Sequence, residues 1–370
     1  MANKKLEISN SNLTPAINFA LPMIFAPLFI ISWFTGGWFI LAAPFFGYII
    51  VTIFDFLLGE NLSIPEPKEI NLTRYKIILF AWPFIQFFLI FGSLIAIFFY
   101  SHLSSLEAIL MLVVQGMITG AVGITFAHEL MHQKSKKERF LADFLMGMAV
   151  YGHFRTEHLH VHHRFVGTDK DAVTAKFNEG FYSFFLRISH CCVRSAWMTE
   201  KERLSRLGKS WSNRRNPFWI YVSLPFVFIF LAFFIGGLFG IALFLLQAFV
   251  AILHLEVVNY IEHYGLTRAI NSDGKYEPTR PHHSWNSNQK ASNLLLINLQ
   301  KHSDHHTNPS KVYPLIQPHS ATSAPQLPFG YPIMVVLSLV PPLWKKVMNP
   351  KVLQWRRTFY PEIKKWAPTP

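Results

Sequence analysis

The chain has 370 residues, 51% of them hydrophobic and only 15% charged, against roughly 25% charged in soluble domains. A water-soluble enzyme of one or two domains is therefore excluded, and the chain reads as an integral membrane protein. Its net charge of +13 comes with no nucleic-acid motif and sits in segments flanking apolar runs, as the positive-inside bias requires.

The N-terminus, MANKKLEISNSNLTP, carries two lysines and no cleavage site after an apolar core, so the first apolar stretch reads as a retained span. About 20 apolar residues cross a bilayer as a helix. Residues 16–34 and 38–57 form two such runs around Thr35-Gly36-Gly37. Residues 77–99 and 105–127 form a second pair, and 217–236 and 238–258 a third, with Gly236, Gly237 and Gly240 at the bend. The three hairpin tips lack Lys and Arg, whereas residues 134–215 hold 16 of them against 8 Asp and Glu. The expectation is an all-α fold: one domain over 1–370, six transmembrane helices, and both termini in the cytoplasm. Segments 128–216 and 259–370 would form a histidine-rich cytoplasmic cap. The basic stretch 181–207 should lie along the membrane surface, and the Pro341-Pro342 break makes 331–347 a docked segment rather than a seventh span.

Cysteine adds little. Cys191 and Cys192 are adjacent, so no disulfide staples the fold, and without paired C-x-x-C motifs no iron or zinc centre is held by thiolates.

The chemistry lies in nine histidines in four clusters: His128 and His132; His158, His162 and His163; His263; and His302, His305 and His306. Neutral imidazole is the commonest metal ligand, and nine are too many for one ion. The i, i+4 spacing of His128 and His132 puts both on one helical face, and His158 and His162 repeat that step. Topology places all four clusters at the same, cytoplasmic end of the bundle. His128-Glu129-Leu130-Met131-His132 also matches the H-E-x-x-H helix of zinc proteases, but such a site needs one further ligand, not seven. A metal transporter would carry ligands near the bilayer midplane. Apart from residues at the rim, the spans contain only His254, Glu107 and Glu256 as strongly polar groups. Imidazole donors with carboxylates nearby suit iron, and by softness also zinc or copper. Glu129, Glu157, Glu262 and Asp304, with Asp169 and Asp171 as weaker candidates, are placed to orient ligand rings from behind.

The quoted segments resemble those of the membrane-bound alkane 1-monooxygenases, within the larger histidine-box hydroxylase and desaturase group. His128–His132 resembles their first box, Glu157–His163 the E-H-x-x-G-H-H box, and Leu299–His306 the L-Q-R-H-x-D-H-H box. Asn259-Tyr260-Ile261-Glu262-His263-Tyr264-Gly265 matches the N-Y-x-E-H-Y-G element that separates this family from ordinary desaturases. Two departures stand out: Val161 replaces a glycine and Lys301 an arginine. The resemblance implies that the nine histidines bind two irons, which activate dioxygen and hydroxylate the terminal carbon of medium-chain alkanes in the bacterial inner membrane. It also implies a separate rubredoxin as electron donor, reduced by an NAD(P)H-dependent reductase. Sister enzymes acting on aryl methyl groups or fatty-acyl chains share several of the boxes.

Overall fold

The computed structural model describes residues 13–65, 71–100, 102–363 and 366. Among them the architecture is helical throughout, with only isolated bridges such as Glu60 to Gln289. Four long apolar helices come first: α1 Ala16–Thr35, α2 Gly37–Leu58, α3 Thr73–Tyr100 and α4 Ser105–Met131. A shorter helix follows, α5 Lys136–Met148. Helical residues 154–165 form α6, and α7 is Phe181–Arg206.

The fifth long apolar element, α8 Phe218–His263, has 46 residues. Straight, it would run roughly 69 Å at 1.5 Å per residue, more than twice a bilayer core of about 30 Å. It bends back instead. Gly236 leaves helical dihedrals and Gly237 takes φ +59°, a left-handed conformation cheap only for glycine. A Cβ at Gly240 would collide with the carbonyl oxygen of Ala232, so the two arms turn tightly on each other. The bend falls on the glycines the sequence marks, and the second arm continues past residue 258 to His263.

Large side chains point outward along these helices, among them Trp38 at 87% exposure and Leu238 at 79%. Such a belt is stable only against lipid. Inside, small residues let backbones approach. A Cβ at Gly116 would strike the Gln247 carbonyl and Val250, and one at Gly120 would strike His254 and Ala251. The first half of α4 and the second arm of α8 therefore cross in parallel at close range. A buried polar ladder fixes their register: Thr119 Oγ1 donates to Gln247 Oε1 at 3.2 Å, and Gln247 Nε2 donates to the Met148 carbonyl at 2.7 Å.

A cap closes one end of the bundle. It contains α9 Lys290–Leu295, α10 His302–Thr307, α11 Tyr331–Ser338 and α12 Pro341–Phe359. Asp55 near the end of α2 accepts the Ser292 backbone N–H at 2.9 Å, tying the first hairpin to this cap. Pro341 and Pro342 start α12 rather than merely interrupting an apolar run, because the first helical turn needs no N–H partners. In α7, Phe184, Ile188, Cys192, Ala196, Glu200 and Leu204 are buried at intervals of four. Tyr182, Leu186, Val193 and Met198 remain exposed on its outer side.

Three segments depart from α geometry in a common way. Phe45–Ile50 in α2, Thr119–Gly123 in α4 and His158–His162 in α6 are π-helical. Such turns are rare and recur at functional sites.

Candidate metal centre

The nine histidines arrive on four elements that end at the capped face: the last turn of α4 and its cap, the π turn of α6 and the residue after it, the last residue of α8, and α10. They form two convergent groups. His128, His132, His158, His163 and His305 make one, and His162, His263, His302 and His306 the other; within each, the candidate ligand atoms lie within 4.8 Å of one another. The groups abut, with the His163 and His306 ring centroids 4.6 Å apart.

The second box divides differently from the spacing argument. His158 and His162 would share a face of an α-helix. In the π turn it is His158 and His163 that meet, Nε2 to Nε2 at 3.0 Å, while His162 Nε2 faces His306 at 3.2 Å. The extra residue of a π turn brings i and i+5 together. Val161, where the resemblance leads one to expect glycine, sits inside this turn with its side chain buried. The third box splits as well: His302 and His306 face each other at 2.9 Å, and His305 reaches His163 at 3.0 Å.

The donor set fits a cation. His158 Nε2 lies 3.0 Å from both His132 Nε2 and His163 Nε2. His306 Nε2 likewise faces both His162 and His302. A neutral imidazole nitrogen carries one proton or one lone pair, so pairwise hydrogen bonds cannot satisfy these contacts. His128 Nε2 is buried with no partner at all. Burial first, and neighbouring imidazoles second, hold His158, His163, His305 and His306 well below the ordinary histidine range. The same causes lower His132 to about 3. Those five rings are thus neutral, the form in which imidazole can bind a metal.

Supporting carboxylates behave unequally. Asp171 Oδ2 accepts His162 Nδ1–H at 2.9 Å and the Thr174 hydroxyl at 2.8 Å, while Oδ1 accepts the Val173 N–H at 3.0 Å. This is the arrangement that fixes a ligand's tautomer. Glu262 Oε2 stands 3.3 Å from His302 Nε2, on the inward side of the ring, and Oε1 accepts the Tyr331 hydroxyl at 2.7 Å. Glu129 is taken by Gln133 and the Tyr313 N–H, and Asp304 by Lys311, Asn308 and the Gln317 N–H. Both therefore brace loops rather than rings. Asp169 accepts the Tyr276 hydroxyl. Glu157 is buried with neither oxygen paired, and burial together with Asp171 and Glu256 pushes its carboxyl well above the usual range.

A third group, Glu277, His282 and His283, lies apart. His283 Nδ1 accepts the Arg280 N–H at 2.9 Å and its Nε2 meets the Tyr360 hydroxyl at 2.7 Å, so both its nitrogens are already used. This group fastens the end of α12 to the cap and is not an open donor set.

Two apolar spaces lie near the histidines. A cavity of about 60 Å³ lies between α2, α4, α8 and the cap, lined by residues such as Gly47, Met117, Ala121 and Val335. A smaller one of about 30 Å³ reaches His128, His158 and His302. Thr125, Val258 and Leu299 line both, so the two are neighbours.

A helical membrane bundle whose capped end gathers imidazoles into two facing donor groups defines a class of membrane metalloprotein, and the fatty acid desaturase family model matches residues 104–338. Alkane 1-monooxygenase 2 of Alcanivorax borkumensis is 35% identical over 323 residues, 85% of this chain and 82% of that protein. Alkane 1-monooxygenase 2 of Pseudomonas aeruginosa is 42% identical over 64% of this chain and 62% of its own length. The hydroxylase component of a Pseudomonas putida xylene/toluene monooxygenase is more distant, 28% identical over 65% of the chain. The chain belongs to the alkane 1-monooxygenases within the fatty acid desaturase family.

Proposed function

We propose that this protein hydroxylates the terminal carbon of medium-chain alkanes, using dioxygen and a pair of iron ions. His128, His132, His158, His163 and His305 would hold one iron, and His162, His263, His302 and His306 the other. One observation carries the reading: both imidazole groups contribute to the lining of an apolar space, through His128 and His158 from one and His302 from the other, and a second apolar cavity lies beside it. Bound there, the metal pair supplies dioxygen activation: one oxygen atom enters a C–H bond to give the primary alcohol, and the other leaves as water with two electrons and two protons.

The protein does the rest. The rings are held by four separate elements, so their positions are fixed by the packing of the bundle rather than by one flexible loop. Asp171 orients His162. Glu262, held by Tyr331, places a carboxylate on the wall of the smaller space. Apolar walls admit the chain end and exclude water, which keeps the reaction local. The substrate partitions into the bilayer and enters between helices without crossing water.

The chain offers no thiolate-held iron centre, so electrons come from outside. We assign this role to a rubredoxin with its NAD(P)H-dependent reductase. Lys170, Arg194, Arg268 and Arg356 line a wide depression whose floor includes Asp171, the residue bonded to His162. A basic rim suits a small acidic donor. The two arms of α8 support six membrane crossings, with termini, cap and metal centre on the cytoplasmic side of the bacterial inner membrane.

Protein purified in nanodiscs should bind two irons per chain and convert octane to its primary alcohol with rubredoxin, reductase and NAD(P)H, with label from isotopic dioxygen in the product. One zinc per chain, or xylene turned over in preference to octane, would overturn the assignment.

A further inference from the structure

The link between α7 and α8, residues 207–217, is where basic charge meets the lipid-facing surface. On the first arm of α8, Trp219, Val222, Phe226 and Phe230 are all exposed. At steps of three and four they form one stripe along the helix, with Trp219 at its cap-side end. Tryptophan there marks the level of the membrane–water interface, which suits both its apolar ring and its N–H. Trp219 Nε1 donates to the Asn213 carbonyl at 3.3 Å, so the link itself lies at headgroup level.

The link is a fixed platform. Gly208 follows the end of α7 with φ +66°, and the Lys209 N–H returns to the Leu204 carbonyl at 2.9 Å, the closure typical of a helix that ends on glycine. Buried Asn216 donates from Nδ2 to the Trp211 carbonyl at 2.8 Å and accepts the Phe218 N–H at 3.0 Å. Trp211 packs on Trp197 of α7, centroids 5.6 Å apart, and Trp197 meets Phe218 edge-on at 4.9 Å. Both helices therefore hold the link in place.

Its charge is largely uncommitted. Arg203 pairs with Glu200, and Arg206 with Glu202. Among the described residues, Lys201, Lys209, Arg214 and Arg215 have no carboxylate partner. Lys201, Arg214 and Arg215 are exposed, beside the exposed Leu207 and Trp211. None of the four lines the depression that carries Lys170, Arg194, Arg268 and Arg356. The two basic surfaces are thus built from different side chains.

We propose that this link binds an anionic phospholipid of the leaflet on the cap side. Lys209, Arg214 and Arg215 take the phosphate and headgroup, and the acyl chains lie along the stripe from Trp219 to Phe230. Charge complementarity requires an anion, and continuity with the lipid-facing stripe makes that anion a lipid. A soluble acidic protein would meet the same cations but leave the apolar stripe beneath them uncovered. The platform also backs the second histidine box. Arg203 Nη2 donates to the Arg215 carbonyl at 3.3 Å, and Glu200 accepts the Thr156 hydroxyl of α6 at 3.1 Å. A lipid held at Arg215 therefore braces the helix behind that box.

The test uses the full-length protein in detergent, titrated with phosphatidylglycerol or phosphatidylcholine, with retained lipid counted by native mass spectrometry. Wild type should bind phosphatidylglycerol roughly tenfold or more tightly than phosphatidylcholine. Each basic residue at an anionic surface is worth about fivefold, so Arg214→Gln with Arg215→Gln should weaken phosphatidylglycerol by about 25-fold and leave phosphatidylcholine unchanged. Replacing both arginines by lysine should keep the preference, and Lys275→Gln, which removes a charge from the cap, should leave it intact. Trp219→Ala should weaken both lipids alike. The lipid-free melting temperature of the double glutamine variant should match wild type, because neither arginine has a carboxylate partner to lose. Equal retention of the two lipids by wild type, or an undiminished preference in the double glutamine variant, would overturn the proposal. So would polyglutamate or inorganic phosphate displacing phosphatidylglycerol at equal concentration, since the face would then recognise anions without regard to the lipid.

Discussion

Asp171→Asn tests the division of the histidines into two groups. The wild-type carboxylate accepts on both oxygens, from His162 and Thr174 on one and from the Val173 N–H on the other. An amide has one acceptor oxygen, so in either orientation its NH₂ opposes a donor. If the oxygen stays with Val173, His162 loses its anchor. If it turns to His162, the loop at Val173 loses its own. Loss of such an orienting partner lowers metal affinity about 10- to 100-fold, or about 1.4 to 2.7 kcal/mol. Because His162 belongs to the four-histidine group, the loss should fall on one ion. The assay loads ferrous iron, dilutes the protein into chelator and follows iron per chain. The variant should release one iron at 10- to 100-fold lower chelator and the other with the wild-type profile. Equal loss of both ions, or none, would refute the division of ligands.

Three further outcomes follow from the same geometry. His263→Ala should abolish turnover and lower iron content, because three imidazoles then remain in its group; full iron and full activity would remove the ninth ligand from the site. Reduction by rubredoxin should slow as ionic strength rises, since charges more than about 10 Å apart are screened at 0.1 M salt, and Arg194→Glu should slow it at low salt; stopped-flow rates independent of salt would refute the basic docking face. The C-terminal attachment should weaken in acid. Burial, and then the neighbouring His283, lowers His282 to about 4, so the undocked chain takes up a proton more readily than the docked one. Attachment is thus fully present above the ordinary histidine range near 6.5 and is lost as pH falls from there toward 4. Hydrogen exchange at residues 355–360 should rise across that window, and protection constant over it would contradict the assignment.

Much of the architecture was legible because hydropathy reports directly on burial in lipid. The runs at 16–34, 38–57, 77–99 and 105–127 match α1 to α4, and the glycines at 236–240 mark the reversal in α8. The histidine boxes were legible from residue type. Which histidine joins which group was not. Spacing specifies a face only if the period is known, and nothing in Glu157–His163 announces a π turn. Asp171 illustrates a second limit. It lies nine residues from His162, beyond any helical repeat, and meets it only because the chain turns at Gly167 and Thr168. The converse holds for Asp304. Its place within a ligand box suggests contact with a ring, yet Lys311 lies closer and takes its charge.

The three π segments connect these observations. One contains Tyr48 in α2, one packs Gly120 against His254 in α4, and one divides the histidines of the second box in α6. Each inserts a residue relative to α geometry, which rotates everything beyond it by about 100° against the preceding turns. In α4 the turn at Thr119–Gly123 lies directly before the stretch carrying Thr125 and His128. The same helix can therefore press glycines against α8 in its first half and present a hydroxyl and an imidazole to the cavity in its second. A uniform α-helix would have to serve both tasks with one apolar face. Close packing needs small residues facing the neighbouring helix, and ligation needs long polar residues facing the cavity. The change of phase lets one membrane helix satisfy each requirement in turn.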